Sequence, residues 1–371
     1  MICNSSTAAW AVLAQLVLLA VGHAHATPIQ QSLDRASERV KEMNQSPEDQ
    51  SPQQAIGYPN LKAKTFGGSQ FWTDLRNVSD WRIQVNSETG HYRLINPKNV
   101  RNGWGNLLHC HQLLDQKIVE GIVPLPQGKV VILLHGLMRT RTSMQPLAND
   151  LRDRSGYTVV NFQYASTRKK VGDHAAALKA LIAGLGPNVN EIYLVGHSLG
   201  NLVVRRYLGD NQDPATGQQG DLRIKRMVMI GPPNQGSKMA RVLKASFLFQ
   251  TIAGASGSEL SRSWEKLEPT LATPKFEFGI IAGGQESEQN LSNYILKGKD
   301  DFTVSVEEAK LVGARDFLVR PLFHSTMMRQ PEVFKAVAEF FEHGHFVSDQ
   351  ARHPIVRFKS PSSMDRGQHV E

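Results

Sequence analysis

Cysteine is nearly absent: Cys3 and Cys110 are the only two in 371 residues. Cys3 lies in an apparent leader, so its removal leaves Cys110 alone, and a mature chain without a possible intramolecular disulfide is no disulfide-stapled fold. No Gly-rich phosphate loop or dinucleotide fingerprint is present among the 30 glycines, which removes the usual signatures of nucleotide chemistry. No nucleic-acid motif accompanies the formal charge of +8. The cations are spread along the chain, densest at 139–141 and 168–170, and read as solvated surface charge, so nucleic acid is not an expected partner. His109-Cys110-His111 lacks the second pair that a zinc site needs. Lysine and arginine are also missing ahead of the one apolar N-terminal stretch, residues 8–21.

That stretch is too short to favour a spanning helix, and Ala24-His25-Ala26 after it is a small-x-small cleavage signal. Residues 1–26 therefore read as a signal peptide, giving an exported chain that is periplasmic or secreted; a retained N-terminal membrane anchor is the alternative. Residues 27–65 are rich in Gln, Ser, Glu and Pro and read as a flexible linker. Within 66–128 the pattern turns to short strands. Residues 80–85 and 91–95 flank a glycine-containing loop as a hairpin, and Trp72, Trp81 and Trp104 are candidate core anchors of this β-containing extension. The tail at 347–371 is polar and reads as loose.

From residue 129 to 346, apolar strands alternate with helical segments. Strands are expected at 130–134, 158–162, 192–195, 227–230, 276–282 and 317–319. Several are nearly continuous runs of Val, Ile, Leu and Met, the composition of strands covered on both faces. Helical spacing appears at 143–154, 173–185, 198–208 and 331–342, with Pro331 suited to a first helical turn and His343-Gly344-His345 to a helix end. This succession predicts an α/β fold, a doubly wound and mostly parallel sheet with helices on both faces. Residues 237–274 interrupt it with partly apolar helical sequence, either a cap over a site or structural padding.

Gly196-His197-Ser198-Leu199-Gly200 stands between a strand pattern and a helix pattern, the context of a nucleophile elbow. A serine hydroxyl is a poor nucleophile at neutral pH, so a sharp strand-to-helix turn must project it toward a histidine base, and flanking glycines relieve the crowding. The histidine in turn needs a carboxylate to hold its tautomer. In the order Ser, acid, His, the acid candidates are Asp301 and, second, Asp300, while His324 follows the last strand. Glu307, Glu308 and Asp316 read as surface or helix residues. The oxyanion needs backbone donors: the N–H of Leu199, after the nucleophile, and a second from the loop His135-Gly136-Leu137-Met138, where Leu137 is preferred and Met138 remains open. His135 reads as a residue that holds this loop rather than one that transfers protons.

Taken together, His135-Gly136-Leu137, Arg141-Thr142-Ser143-Met144, the elbow, Gly231-Pro232-Pro233-Asn234-Gln235-Gly236-Ser237, the acid loop and Phe323-His324 give residues 130–346 a resemblance. They resemble bacterial lipases and esterases of the α/β-hydrolase fold, including the GPI-inositol-deacylase-like group. Two positions depart from that pattern: Asn201 stands where a second glycine is usual, and Phe302 where a glycine usually follows the acid. The resemblance implies a serine hydrolase of carboxylic esters that needs no metal or organic cofactor. Its substrate would be a small-molecule or lipid ester, with contact at a membrane surface left open. An acyltransferase using the same acyl-enzyme and a non-catalytic binding protein of the same fold are the alternatives. The apolar segment 245–252 could line a greasy pocket or form a core helix.

Overall fold

The computed structural model describes residues 65, 70–236, 247–284, 304 and 306–356. The leader and most of the linker lie outside these residues, as do 237–246 of the candidate cap, Asp300 and Asp301, and the tail beyond 356. Among the described residues no helix is long and apolar enough to cross a membrane.

Four short antiparallel strands open the described chain, β1 (Trp72–Val78), β2 (Trp81–Asn86), β3 (Tyr92–Ile95) and β4 (Arg101–Gly105), hydrogen-bonded in that order. The β2–β3 pair is the hairpin expected from the sequence, with Val85 opposite Tyr92 and Ile83 opposite Leu94. Helix α1 (Leu107–Val119) covers one face of this sheet, started by Asn106, whose side chain accepts the His109 N–H at 2.8 Å. Capping of this kind satisfies one of the amides that a helix start leaves without a partner. The resulting core is Val78, Ile83, Leu94, Cys110, Leu114 and Val123. The tryptophans are not its centre, contrary to the expectation from sequence. All three are half-buried and sit under cations: Arg93 lies 3.7 Å from the ring centre of Trp72, Arg101 stands over Trp104 and Lys117 over Trp81. An amphipathic indole takes such a place at the rim of a small sheet, where the ring faces both carbon and charge.

The main sheet has six parallel strands in the order β10-β9-β8-β7-β5-β6: β5 (Gly128–Leu134), β6 (Thr158–Phe162), β7 (Val189–His197), β8 (Ile224–Ile230), β9 (Glu277–Gly283) and β10 (Asp316–Arg320). All six expected strands are present, each in place to within a few residues. The alternation of side chains along a strand explains their unbroken apolar runs. Val130, Ile132 and Leu134 of β5 enter a core with α3 (Val171–Ala183) and α4 (Leu199–Asp210). Val131 and Leu133 point the other way, into a core with α2 (Gln145–Ser155) and α8 (Pro331–His343). Between α4 and β9 lie α5 (Phe247–Arg262), kinked at Gly254, and the one-turn α6 (Trp264–Leu267); another single turn, α7 (Val306–Ala309), precedes β10. This is the α/β-hydrolase fold.

Strand order decides where a site forms. From β5 the chain steps outward to β6, then crosses back over β5 to β7. The segments leaving the C-terminal ends of β5 and β7 consequently go to opposite faces, β5 to α2 and β7 to α4, and open a crevice between them. The first, antiparallel sheet is tied to the same sheet edge through β1. Asp74 donates its N–H to the Gln163 carbonyl at 2.8 Å and accepts the Gln163 N–H on its carboxylate at 3.0 Å.

Two readings from the sequence change. Asp316 is buried in a strand rather than on the surface or a helix, while Glu308 is on helix α7 as expected, though buried. Asp316 begins β10, at the sheet end opposite the crevice, and its carboxylate accepts the N–H groups of Phe317, Phe346 and His353 at 2.8, 2.8 and 2.9 Å. Burial of a carboxylate is tolerable when it is hydrogen-bonded in this way. Those bonds also hold the start of the polar tail, where Ile355 exchanges backbone bonds with Ala314 and Gly313 at 3.0 and 2.8 Å. The segment up to 356 is docked, not loose.

Candidate active site

Strand β7 ends at His197 and α4 begins at Leu199, which leaves Ser198 alone in the turn with φ 51° and ψ −118°. Such a positive φ in a residue with a Cβ costs on the order of 1–3 kcal/mol and persists only where neighbours over-determine it. Several do so here. Ser198 donates its N–H to the Ile230 carbonyl at 2.9 Å. The flanking glycines are close-approach positions: a Cβ on Gly200 would stand 2.5 Å from the Leu134 carbonyl oxygen, and one on Gly196 would stand 2.7 Å from the Asn201 nitrogen. Asn201, where the resemblance leads one to expect glycine, is fully buried and braces the turn. Its side-chain amide donates to the carbonyls of Ser198 and Ile230 at 3.1 and 3.2 Å.

Leu199 is the first residue of α4, so its N–H belongs to the group of amides without an intrahelical partner, at the positive end of the helix dipole. Across the crevice, Gly136 to Arg139 form a turn closed by the Arg139 N–H on the Gly136 carbonyl at 3.2 Å, with Met138 at φ 58°. Positive φ at the third position is the type II arrangement. Leu137 is buried in the α3 and α4 core while Met138 is 40% exposed. His135 anchors the turn from behind, in keeping with the reading from sequence. It is fully buried, stacked on Tyr164 at 4.1 Å, and its Nδ1 lies 2.9 Å from the Gly136 carbonyl oxygen. The Tyr164 hydroxyl donates to the His135 carbonyl. Burial lowers the His135 pKa to about 4, so this imidazole is neutral and its Nδ1–H donates to Gly136.

His324 follows β10 and reaches back over the end of β8, where Gly231 (φ 52°) makes room for it: a Cβ there would be 2.8 Å from His324 Nδ1. A small cleft brings the pieces together, lined by Gly136, Leu137, Arg139, His197, Ser198, His324 and Ser325. Ser198, His324 and the Leu137 turn thus share one space, with Leu199 beside Ser198 in the chain. The acid candidates Asp301 and Asp300 lie outside the described residues. Just beyond them, Val304 is buried in the α3 and α4 core and α7 is held by Asn234. Its side-chain nitrogen donates to the Ala309 carbonyl at 2.8 Å, while Arg205 of α4 donates to its side-chain oxygen at 3.1 Å.

His197 is a site residue that the sequence does not single out. It is buried, its Nε2 lies 3.0 Å from the His324 carbonyl oxygen, and the two rings are 4.9 Å apart. Burial first, and then the nearby charges of His324 and Arg139, hold its pKa well below the ordinary value. A neutral ring facing a carbonyl must carry its proton on Nε2, so His197 pins the backbone of His324 from beside Ser198. Its position inside the five-residue elbow was the only signal available. The His109-Cys110-His111 run lies elsewhere, on α1, with Cys110 buried and His111 against the Arg76 guanidinium at 3.0 Å. No group able to hold a metal ion occurs among the described residues.

The profile of a family described as a domain of unknown function (DUF7379) matches residues 102–267. No curated protein matches the sequence. Among solved structures, similar chains include the phospholipase PlaB from Legionella pneumophila, solved in complex with thio-NAD. It is 16% identical, with 49% of this chain and 44% of that one covered and a TM-score of 0.39. The mature lipase BlEst2 from Bacillus licheniformis is 14% identical over 59% of this chain and 92% of its own, TM-score 0.40. The metagenomic carboxyl esterase MGS0156 is 18% identical over 60% and 79%, TM-score 0.43. This chain thus spans less than half the length of the Legionella phospholipase.

Proposed function

We propose that the protein is a serine hydrolase of carboxylic esters, of the lipase or carboxylesterase class. The observation that carries this reading is the strained turn at Ser198, which opens into one cleft with His324 and faces the turn that bears Leu137. A binding module has no use for a serine held at φ 51°, whereas a nucleophile must be raised clear of its own backbone.

In this mechanism Ser198 Oγ attacks the ester carbonyl carbon and His324 takes its proton. The carbonyl oxygen becomes an oxyanion held by the N–H groups of Leu199 and Leu137, worth about 10²–10³ in rate per donor. Collapse of the tetrahedral intermediate breaks the C–O bond to the alcohol, which leaves with the proton from His324. Water then repeats the sequence on the acyl-enzyme, and Ser198 is restored. Asp301 is assigned to orient His324, with Asp300 as the substitute. The exposed side chains of Met138 and Phe323, each adjacent in the chain to cleft residues, favour an acyl or lipid-like substrate at the mouth. Export with cleavage after Ala26 belongs to the same proposal.

A panel of p-nitrophenyl esters running from acetyl to palmitoyl tests it on the purified mature chain. Turnover of at least one ester that falls by about 10⁴-fold or more in Ser198→Ala is the expected result. Absence of turnover across the panel, or equal turnover in the variant, overturns it.

A further inference from the structure

The turn that carries the second oxyanion amide is under strain at Met138, and something must hold it. Its first carbonyl, Gly136, is taken by His135 Nδ1 and by the Arg139 N–H. Its last carbonyl, Arg139, is taken from outside the hydrolase sheet by Gln70, whose Nε2 donates to it at 2.6 Å. The same side chain grips the neighbouring loop after β6: Gln70 Oε1 accepts from Ser166 Oγ at 3.0 Å, the Thr167 N–H at 3.3 Å and Thr167 Oγ1 at 3.1 Å. One half-buried amide therefore locks the loop after β5 to the loop after β6. Two residues beyond Arg139, the hold is repeated. Arg141 donates its N–H to Gln163 Oε1 at 2.9 Å, and its guanidinium pairs with Asp80 of the first sheet at 2.7 Å.

A type II turn and its type I alternative differ by a flip of the central peptide, and a side-chain-bearing third residue such as Met138 prefers the type I form, where its φ is negative. The flip would turn the Leu137 carbonyl and the Met138 N–H, the alternative second donor, away from their present directions, and the Leu137 N–H would move only as far as the rebuilt turn displaces it. Oxyanion donors act only when preorganised, and misplacement by about 1 Å can cost about 10²-fold in rate. We infer that Gln70, immediately before the first antiparallel sheet, is a positioning residue for ester hydrolysis: it acts through the Arg139 carbonyl to keep the oxyanion turn in its strained, productive form. The N-terminal extension is on this account a part of the catalytic apparatus. The inference rests on the proposed esterase activity.

Gln70→Glu is the discriminating variant, because it is nearly the same shape, keeps an acceptor toward Ser166 and Thr167, and replaces the donor to Arg139 with a carboxylate oxygen that repels that carbonyl. Gln70→Ala removes both ends. In the full-length mature protein, kcat for the best ester should fall at least about tenfold in both variants, with KM within about twofold. Affinity for a trifluoromethyl ketone, which mimics the tetrahedral oxyanion, should fall by the same factor as kcat/KM. Thermal midpoint should remain within a few degrees of wild type in Gln70→Glu. An active wild type whose Gln70→Glu variant keeps its kcat and its trifluoromethyl ketone affinity overturns this inference and leaves the esterase reading intact. A wild type with no esterase activity sinks both.

Discussion

Two buried histidines behind the Gly136–Arg139 turn make the stability of this protein sensitive to mild acid. His135 is held to a pKa of about 4 and His174, whose ring lies 4.8 Å from Tyr164, to about 3, in both cases chiefly by burial. An unfolded imidazole titrates near 6.5. Folded values below the unfolded one mean that the unfolded chain binds protons first, so the stability is present above about pH 6.5 and is lost as pH falls toward 4. At pH 5 each unfolded imidazole is almost fully charged while its folded counterpart is not. The difference of about 1.5 pH units is worth about 2 kcal/mol per histidine, or about 4 kcal/mol for the pair. His111, lowered to about 4 mainly by burial, and His197 act with the same sign. Against a typical domain stability of about 5–15 kcal/mol this is a large loss. Urea unfolding followed by tryptophan fluorescence at pH 8, 7, 6 and 5 should show a drop of at least about 4 kcal/mol, steepest below pH 6.5. In His174→Gln the drop should be smaller by about 2 kcal/mol. A stability that stays flat from pH 8 to 5, or an unchanged drop in the variant, would refute the neutral buried imidazoles and with them the account of how the turn is held.

The crowding at the elbow predicts that Gly200→Ala is destabilising despite the helix-favouring residue it introduces. A Cβ at 2.5 Å from the Leu134 oxygen and 2.9 Å from its carbonyl carbon meets backbone, so an overpacking cost of about 1–3 kcal/mol outweighs a propensity gain of about 1 kcal/mol; a raised urea midpoint would contradict this. For the acid, Asp301→Asn should lower kcat by about 10⁴-fold with Asp300→Asn changing it by less than about tenfold, and the reverse pattern in steady-state assays moves the role to Asp300.

How far the sequence could be read depended on the kind of interaction involved. The strands β5 to β10 are legible because each is covered on both faces, which writes burial directly into composition. Ser198 is legible because its turn demands glycine at two fixed offsets, and His324 because the order of chain and sheet brings it to the same edge. Strand β1 is not: Asp74 and Asn77 are buried in it among apolar residues, with Asp74 compensated by Gln163, 89 residues away. That compensation leaves no local pattern. Strand β4 contains Gly103 because α1 packs so close that a Cβ there would stand 2.6 Å from Leu113, and a glycine between polar residues reads as a loop. Gln70, Asn201 and His197 escape for the same reason. Each reaches a backbone carbonyl far off in sequence, 69 positions away for Gln70, 29 for one of the two Asn201 contacts and 127 for His197. The tryptophans mislead in the opposite sense, since size suggests a core and cation pairing at the rim satisfies them instead.

Covalent labelling of the mature protein by a fluorophosphonate, read as intact mass and then by peptide mapping, is the most direct test of the nucleophile. One adduct per chain on Ser198, absent in Ser198→Ala and strongly slowed in His324→Ala, is the result predicted here. A wild-type protein that takes no label, or a Ser198→Ala variant that labels as fast as wild type, would contradict it.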